Sequence, residues 1–349
     1  MESGDGGFRW FGAAGTANDE GAPLTAATPF HIASIDKLMV ATLVMKLREH
    51  GSITLDDAIG SYLPRTLIGG LHQLNGVDHT GAITIRHLLG HTSGLADCFE
   101  DRPKGGRSLM ERLFAEGDMA WSINHLTMLV RRELRPHFPP QAMDAKRQKA
   151  RYSSTNYQLL IALIETITRQ PLHQALAEWL FRPLQLQHTY LFGRAPPSGP
   201  TLEAAPLYLH GQPLNLPLAL RSFPSIYSTT GDLLAFLRAL TSGAIFDDEH
   251  SLPLMQQRWN RFGFPLDAAA LRSPGWPIEY GLGMLRFRLP RALTPLRRMP
   301  ALIGHTGSTG SWLLHCPERD LLLCGTVNEA SAGAVPYRFV PAQVRAVER

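Results

Sequence analysis

Ser34 and Lys37 stand three residues apart at the start of a long apolar segment, "SIDKLMVATLVMKL". If this segment is helical, the two side chains lie on one face, with their Cβ atoms about 5–6 Å apart. The start of a helix also presents free backbone N–H groups and the positive end of the helix dipole. Burial lowers the pKa of a lysine, so that a neutral amine could accept the serine proton. The pair therefore has the composition of a nucleophile and its base.

The same spacing also allows a simpler interpretation. A serine at the start of a helix commonly caps the first N–H groups. A lysine can lay its apolar stem along a helix and carry its ammonium to water. Because Ser-x-x-Lys is a short motif, it does not distinguish catalysis from capping on its own.

Two further stretches carry residues suited to the same chemistry. Tyr152 lies in "RYSSTNYQLL", on the loop before a segment whose apolar residues recur at helical spacing. His305, Thr306 and Gly307 lie in "GHTGSTGS", within a C-terminal region that has the pattern of successive strands. The chain thus contains three candidate motifs in a fixed order.

In this order the three motifs resemble those of the serine β-lactamase and penicillin-binding-protein superfamily. The resemblance is to its class C branch, which includes D,D-peptidases, D-aminopeptidases and family VIII carboxylesterases. It extends over nearly the whole chain, through the stretches "TPFHIASIDKL", "ITIRHLLGHTSGL", "YSSTNYQLLIALIE", "YSTTGDL", "YGLGM" and "GHTGSTGSWLLHCPERDLLLCGTVN".

The resemblance implies a role for each matching residue. Ser34 would be the acylated nucleophile, Lys37 its activating partner, and Tyr152 the group that moves protons between Ser34 and the leaving group. The residues that would contact the substrate form a larger set. They are the strand edge His305, Thr306 and Gly307, and the oxyanion hole formed by the backbone N–H groups of Ser34 and Ser308.

The chain departs from the pattern of many relatives at two substrate-binding positions. Ser154 stands where they have the asparagine of Tyr-x-Asn, and Asn156 is two residues further along. His305 stands where many β-lactamases have lysine, and a histidine is mostly neutral at pH 7. A neutral group holds a substrate carboxylate less firmly, and a serine cannot present an amide to the substrate. Both changes therefore argue against an efficient β-lactamase.

The pattern of elements predicts a mixed α/β (α+β) fold of the β-lactamase/transpeptidase type. We expect an antiparallel sheet flanked by helices, with an inserted, mostly helical domain. Residues 1–55 and 245–349 would form the discontinuous sheet domain, residues 56–244 the helical domain, and the active site would lie between them. We also expect a short strand over about 7–16, and a first helix that ends at Gly51.

Composition excludes several other classes of protein. Cys98, Cys316 and Cys324 are odd in number and widely spaced, which argues against a disulfide framework or a zinc-cysteine site. His87 and His91 have metal-ligand spacing, but no glutamate follows the first histidine, so we predict no metal. The net charge of +4 comes from scattered arginines, which gives little support for nucleic-acid binding.

The location of the protein follows only in outline from its sequence. Without a secretory signal we expect a cytoplasmic protein, or a periplasmic one if the N-terminus is truncated. No uninterrupted apolar run is long enough for a membrane span. The oligomeric state is open.

Together these features predict a serine hydrolase that works through an acyl-enzyme on Ser34, without a cofactor. Small carboxylic esters are the leading substrates, because the altered positions at Ser154 and His305 suit an uncharged acyl group. The alternatives are a D-amino-acid peptidase or amidase, a weak β-lactamase, and an acyltransferase that differs only in its acceptor. A non-catalytic binding or assembly module of the same fold is the alternative from another class.

Overall fold

The structure is a computed structural model, and it describes residues 1–18, 20–264, 273–293 and 298–347. The chain divides into two compact units, each built from segments that are distant in sequence. The first unit comprises Met1–Met39, Leu176–Leu252 and Leu285–Arg349, and the second comprises Val40–Ala175 and Pro253–Met284.

The helices of the described residues are mostly short. The α-helices are α1 (Asp36–Glu49), α2 (Arg65–Ile68), α3 (Ile85–Leu89), α4 (Leu109–Glu116), α5 (Ile123–Glu133), α6 (Ser154–Thr168), α7 (Leu172–Leu176), α8 (Pro217–Ser222), α9 (Thr230–Thr241), α10 (Ser251–Gln256) and α11 (Pro336–Ala346). Single turns of 3-10 helix occur at Ala33–Ile35, Ile59–Ser61, Thr80–Ala82, Arg291–Leu293 and Pro317–Arg319, and a π turn at Ala177–Phe181.

The strands become longer toward the C-terminus. They are β1 (Glu2–Ser3), β2 (Phe30–His31), β3 (Gln73–Leu74), β4 (Val77–Asp78), β5 (Tyr190–Leu191), β6 (Tyr208–Leu209), β7 (Gln212–Pro213), β8 (Ile226–Ser228), β9 (Asn260–Arg261), β10 (Ile278–Tyr280), β11 (Leu285–Phe287), β12 (Leu302–Thr306), β13 (Trp312–Cys316) and β14 (Leu321–Gly325).

The first unit is built on an antiparallel sheet. Its strands follow the order β1-β14-β13-β12-β11, so that the last four are a meander of consecutive strands. Helix α9 packs against β13 and β14. A smaller sheet, with the order β2-β8-β5, joins the strand that precedes Ser34 to two strands from the middle of the chain.

The second unit is mainly helical, with α6 at its centre. Helices α3 and α5 both pack against α6, and four leucine and isoleucine side chains of α6 are buried. Two antiparallel strand pairs, β3-β4 and β9-β10, belong to the same unit. Burial of these apolar side chains is the main favourable free-energy term that holds the unit together.

The mixed fold predicted from the sequence, with its antiparallel sheet and helical insertion, is confirmed. Helix α1 also ends as predicted, because Gly51 has a φ of +69°, a left-handed conformation that glycine adopts without steric cost. The expected strand over residues 7–16 is wrong, because in this stretch only Arg9 and Thr16 form isolated bridges. The observed strand lies earlier, at Glu2–Ser3.

The observed units have other boundaries than the predicted domains. The segment Leu176–Leu252 groups with the sheet, whereas residues 40–55 group with the helical unit. The reason is that α9, which has a helical pattern, buries its apolar side on the strands β13 and β14. In the part of the chain that the structure describes, no helix has both the length and the apolar character needed to cross a membrane.

Candidate active site

Ser34 and Lys37 are brought together by the local course of the chain. Ser34 lies in the 3-10 turn Ala33–Ile35, and Lys37 lies in the first turn of α1. Lys37 Nζ is 3.2 Å from Ser34 Oγ, within hydrogen-bond distance. The predicted placement on one face is therefore observed, and the distance allows a proton to pass between the two groups.

The backbone before Ser34 has an uncommon conformation. Ala33 has a φ of +48°, in the left-handed region that side chains other than glycine, asparagine and aspartate seldom adopt. Such a conformation costs of order 1–3 kcal/mol and persists only where the surrounding structure holds it. The chain before Ser34 is therefore held in place by its neighbours.

These neighbours lie in the turn that follows strand β12. Ser311 Oγ donates a hydrogen bond to the carbonyl oxygen of Ile32 at 2.9 Å, and Thr309 Oγ1 donates one to that of His31 at 3.2 Å. The two hydroxyl groups fix the backbone on the N-terminal side of Ser34. Thr309 and Ser311 were not predicted to take part in the site, although both lie within the motif "GHTGSTGS".

Gly307 brings the same turn into close contact with the Ser34 segment. A Cβ atom at this position would lie 2.7 Å from the carbonyl oxygen of Ile32 and 2.8 Å from Ala33 Cβ, so only glycine fits without a shift of the backbone. The next residue, Ser308, is exposed. The chain segments of Ser34 and Ser308, whose N–H groups form the predicted oxyanion hole, are therefore packed against each other.

His305 lies near the end of β12 and is fully buried. Its Nδ1–H donates a hydrogen bond to the carbonyl oxygen of Thr306 at 2.8 Å. Burial, and secondly the nearby charge of Lys37, lower the pKa of His305 to about 3. The imidazole is thus neutral at pH 7, and it supplies no positive charge for a substrate carboxylate.

Asp36 adds a buried carboxyl group to this region. Asp36 Oδ1 is 3.4 Å from Lys37 Nζ, and both side chains are nearly inaccessible to solvent. Burial raises the pKa of Asp36, although the interaction with Lys37 opposes the rise. Asp36 is the first residue of α1, where its carboxyl group suits the helix N-terminus, and it also contacts the candidate base.

Tyr152 belongs to the second unit and is held by contacts within that unit. It lies just before α6, as predicted, and its ring packs against His91 with 4.5 Å between the ring centroids. His91 Nδ1 accepts hydrogen bonds from the backbone N–H of Ser153 at 3.2 Å and from Asn156 Nδ2 at 3.0 Å. His91 therefore fixes both the tyrosine ring and the backbone that follows it.

Asn156 is a buried residue of α6, and both ends of its amide are engaged. Besides the bond to His91, its Oδ1 accepts a hydrogen bond from Ser93 Oγ at 2.7 Å. Asn156 thus ties the "HTSG" turn to the helix and does not take over the substrate-binding role of the asparagine that Ser154 replaces. This structural role of His91, Ser93 and Asn156 was missed, because it depends on contacts between distant parts of the sequence.

Ser154 is the first residue of α6 and is partly exposed. Its backbone N–H donates to Asp97 Oδ2 at 2.8 Å, so that a carboxyl group from a distant loop caps the helix. Burial, together with the charge of Asp101, raises the pKa of Asp97. Ser154 lies at the helix start, and its contact with the substrate stays a prediction.

The two histidines with metal-ligand spacing have different hydrogen-bond partners. His87 Nδ1 accepts from the N–H of Thr84 at 3.0 Å, and its Nε2–H donates to the carbonyl oxygen of Gln141 at 2.7 Å. His91 binds the Tyr152 turn instead. Over residues 1–18, 20–264, 273–293 and 298–347, no group of three or more His, Cys, Asp or Glu side chains is arranged to hold a metal ion.

The sequence profile of the family described as Beta-lactamase matches residues 3–338. The chain belongs to the β-lactamase family. The predicted membership of the serine β-lactamase and penicillin-binding-protein superfamily is thereby confirmed.

Several described proteins are similar to this member of the β-lactamase family. It is 23% identical over 284 residues to the D-alanyl-D-alanine-carboxypeptidase/endopeptidase AmpH of Escherichia coli (strain K12), a match that covers 81% of this chain and 66% of AmpH. A D-stereospecific amidohydrolase from Streptomyces sp. is 25% identical, with a TM-score of 0.63 over 90% of this chain and 87% of that one. The D-amino acid amidase of Ochrobactrum anthropi SV3 is 22% identical, with a TM-score of 0.70 over 96% and 89%.

The solved structures confirm the β-lactamase/transpeptidase-like fold. The chain spans less than two thirds of the length of the curated relatives it matches. It covers 30% of Protein flp of Staphylococcus aureus (strain MW2) and 66% of AmpH.

Proposed function

We propose that this chain is a serine acyl hydrolase that acts through an acyl-enzyme on Ser34, with small carboxylic esters as its substrates. The observation that carries the proposal is the 3.2 Å contact between Lys37 Nζ and Ser34 Oγ at a turn held in a strained conformation. Membership of the β-lactamase family supports it. A capping serine and a solvated lysine do not account for this contact, since the Lys37 side chain is only 9% exposed.

Acylation begins with attack of Ser34 Oγ on the substrate carbonyl carbon. In the form of the site in which Lys37 is unprotonated, the hydroxyl proton passes to Lys37 Nζ, and the carbonyl oxygen becomes an oxyanion held by the N–H groups of Ser34 and Ser308. When the tetrahedral intermediate collapses, the bond to the leaving group breaks, and Tyr152 passes to this group the proton that Lys37 took from Ser34, so that both residues regain their starting protonation. Ser34 then carries the acyl group as an ester.

Deacylation repeats these steps with water as the nucleophile. A water molecule loses a proton to the same base and attacks the Ser34 ester, and the carboxylic acid leaves as Ser34 Oγ is protonated again. The role given to Tyr152 in this mechanism is the one that the family resemblance implies. It requires no metal or cofactor.

The preference for uncharged substrates rests on His305 and Ser154. His305 is neutral because of its burial and the nearby Lys37, and therefore offers no charge-assisted hydrogen bond to a carboxylate. Ser154 has no amide to present to the substrate. Both β-lactams and peptides with a free C-terminus carry a carboxylate, whereas simple esters do not.

Amides of D-amino acids are the second candidate substrates. The Streptomyces relative at 25% identity is named a D-stereospecific amidohydrolase, and a terminal amide also lacks a carboxylate. An amide is a less reactive acyl donor than an activated ester, so this activity would demand more from the oxyanion hole and from Tyr152. A non-catalytic module of the same fold has no need of the Ser34–Lys37 contact.

A panel of three substrate types tests this proposal. We expect kcat/KM for p-nitrophenyl acetate or butyrate to exceed that for nitrocefin by about tenfold or more, equivalent to about 1.4 kcal/mol. D-Amino-acid p-nitroanilides measure the second candidate activity, and His305→Lys should narrow the gap by improving nitrocefin more than the ester. If the wild-type protein hydrolyses nitrocefin faster than every short ester, the esterase proposal is wrong.

A further inference from the structure

Helix α11 contributes a hydroxyl group to the end of strand β12. Tyr337, the second residue of the helix, has its phenol oxygen 2.7 Å from Thr306 Oγ1, a short hydrogen bond between two hydroxyl groups. The ring of Tyr337 packs against Phe287 on the neighbouring strand β11, with 5.0 Å between the ring centroids. The tyrosine is thus held at both ends, by its ring and by its hydroxyl.

Thr306 is the last residue of β12 and the middle residue of the His305-Thr306-Gly307 edge. A hydroxyl group has one hydrogen to donate, and an anion can be bound only by donors. Whichever of the two hydroxyls donates, one of their two hydrogens is used within the pair. The phenol also fills the space beside the threonine oxygen.

His305, the residue before Thr306, does not replace the donor hydrogen that is used between Thr306 and Tyr337. His305 is buried and neutral, and its Nδ1–H is used on the carbonyl oxygen of Thr306. A carboxylate placed at this strand end would therefore have to share the hydroxyl hydrogens of Thr306 and Tyr337 with the bond between them, and a partly desolvated carboxylate left short of donors is costly.

We propose that Tyr337 is a specificity-determining residue, which closes the end of β12 to substrate carboxylates through its hydrogen bond to Thr306. The inference rests on the proposed function, since it assumes that substrates lie along this strand edge. It adds that the preference for uncharged substrates is set in part by the C-terminal helix, outside the three motifs.

Tyr337→Phe tests the inference, because it removes the hydroxyl and keeps the ring that packs on Phe287. Nitrocefin and its methyl ester are matched probes that differ only in the carboxylate. We expect the ratio of their kcat/KM values, acid over ester, to rise about fivefold or more in the variant. Where turnover is slow, the rate of Ser34 acylation, followed by intact-mass spectrometry, gives the same ratio.

Two further variants identify the group that is released. Adding Thr306→Val to Tyr337→Phe should abolish the gain, because the freed threonine hydroxyl is then missing. Arg338→Ala, at the exposed position beside Tyr337, should leave the ratio within twofold of wild type. A loss of nitrocefin turnover in Arg338→Ala would mean that the helix attracts carboxylates, which overturns the inference.

An unchanged ratio in Tyr337→Phe also overturns it, even if both rates fall together, because a packing role affects both probes equally. Labelling of wild-type Ser34 by a fluorescent phosphonate separates this failure from that of the proposed function. If Ser34 is labelled and the acid-to-ester ratio of kcat/KM is unchanged, only the role of Tyr337 is contradicted. If Ser34 is not labelled, the proposed function itself is contradicted.

Discussion

The contact between Ser34 and Lys37 and the turn that carries Tyr152 are built in different ways. Ser34 and Lys37 are neighbours on one short segment, so the spacing of a helical turn sets their 3.2 Å contact. The Tyr152 turn depends on residues far earlier in the chain, since His91 packs on its ring and Asp97 caps the helix that follows.

This difference indicates which parts of the candidate site withstand substitutions elsewhere. A contact set by helical spacing persists as long as the helix forms. A loop placed by a network of buried hydrogen bonds moves when one member of the network is lost, because its partners are then left unsatisfied. We therefore expect substitutions around Tyr152 to affect stability and activity together, and Lys37→Arg, which keeps a positive charge beside the buried Asp36, to affect mainly activity.

Lys37→Arg should have the largest effect. Arginine keeps the positive charge but does not deprotonate at working pH, so it cannot accept the proton of Ser34. We expect kcat/KM for a p-nitrophenyl ester to fall by about a thousandfold, within the usual range for the loss of a general base. Lys37→Ala should fall by a similar factor.

Lys46→Arg is the matched control, because Lys46 lies on the same helix and is only partly buried. Its activity should stay near that of wild type. Near-normal activity in Lys37→Arg would show that Lys37 is only a charged neighbour of the serine and not its base.

Asn156→Ala should have the second-largest effect, on stability. It removes the donor to His91 Nδ1 and the acceptor for Ser93 Oγ in a buried setting. The free energy of unfolding should fall by about 1–3 kcal/mol in urea titrations, and kcat should fall with it as the Tyr152 turn loosens. Gln158→Ala, on the same helix and partly exposed, should stay within about 0.5 kcal/mol. Equal stabilities of the two variants would contradict the role given to the network.

The stability of the protein should also depend on pH through His305. Because its pKa is lowered to about 3 in the folded protein, the unfolded chain binds a proton below pH 6.5 that the folded protein does not. Stability therefore falls as the pH falls, by about 1 kcal/mol from this group between pH 7 and pH 5.5.

His305→Gln should remove this contribution. Urea titrations at the two pH values, compared between the variant and the wild type, measure it. His31, whose pKa burial lowers to about 4, adds a loss of the same sign that remains in the variant. An equal pH dependence of both proteins would show that His305 is accessible to protons in the folded state.

The sequence predicted well what short-range patterns determine. The apolar residues of α1, its end at Gly51, the helix after Tyr152 and the C-terminal meander follow from periodicity and turn residues. The Ser34–Lys37 contact was predictable for the same reason.

The features that were missed depend on contacts across long stretches of sequence. A helical pattern shows that α9 has an apolar side but not that this side packs on β13 and β14, so the unit boundaries differ from the predicted ones. The engagement of Asn156 by His91, and of Thr306 by Tyr337, likewise leaves no local signal. The predicted catalytic roles of Ser34, Lys37 and Tyr152, and the predicted substrate-binding roles of Ser154 and Ser308, stay predictions.

Covalent labelling tests the central claim, that Ser34 is the nucleophile, most directly. The wild-type protein and Ser34→Ala are each incubated with a fluorescent alkyl phosphonate, and the adduct is located by intact-mass and peptide mass spectrometry. We predict one adduct on Ser34 in the wild type and none in the variant, while both proteins unfold at the same urea concentration. An adduct on Ser93 or Ser308, or equal labelling of the variant, would contradict the assignment.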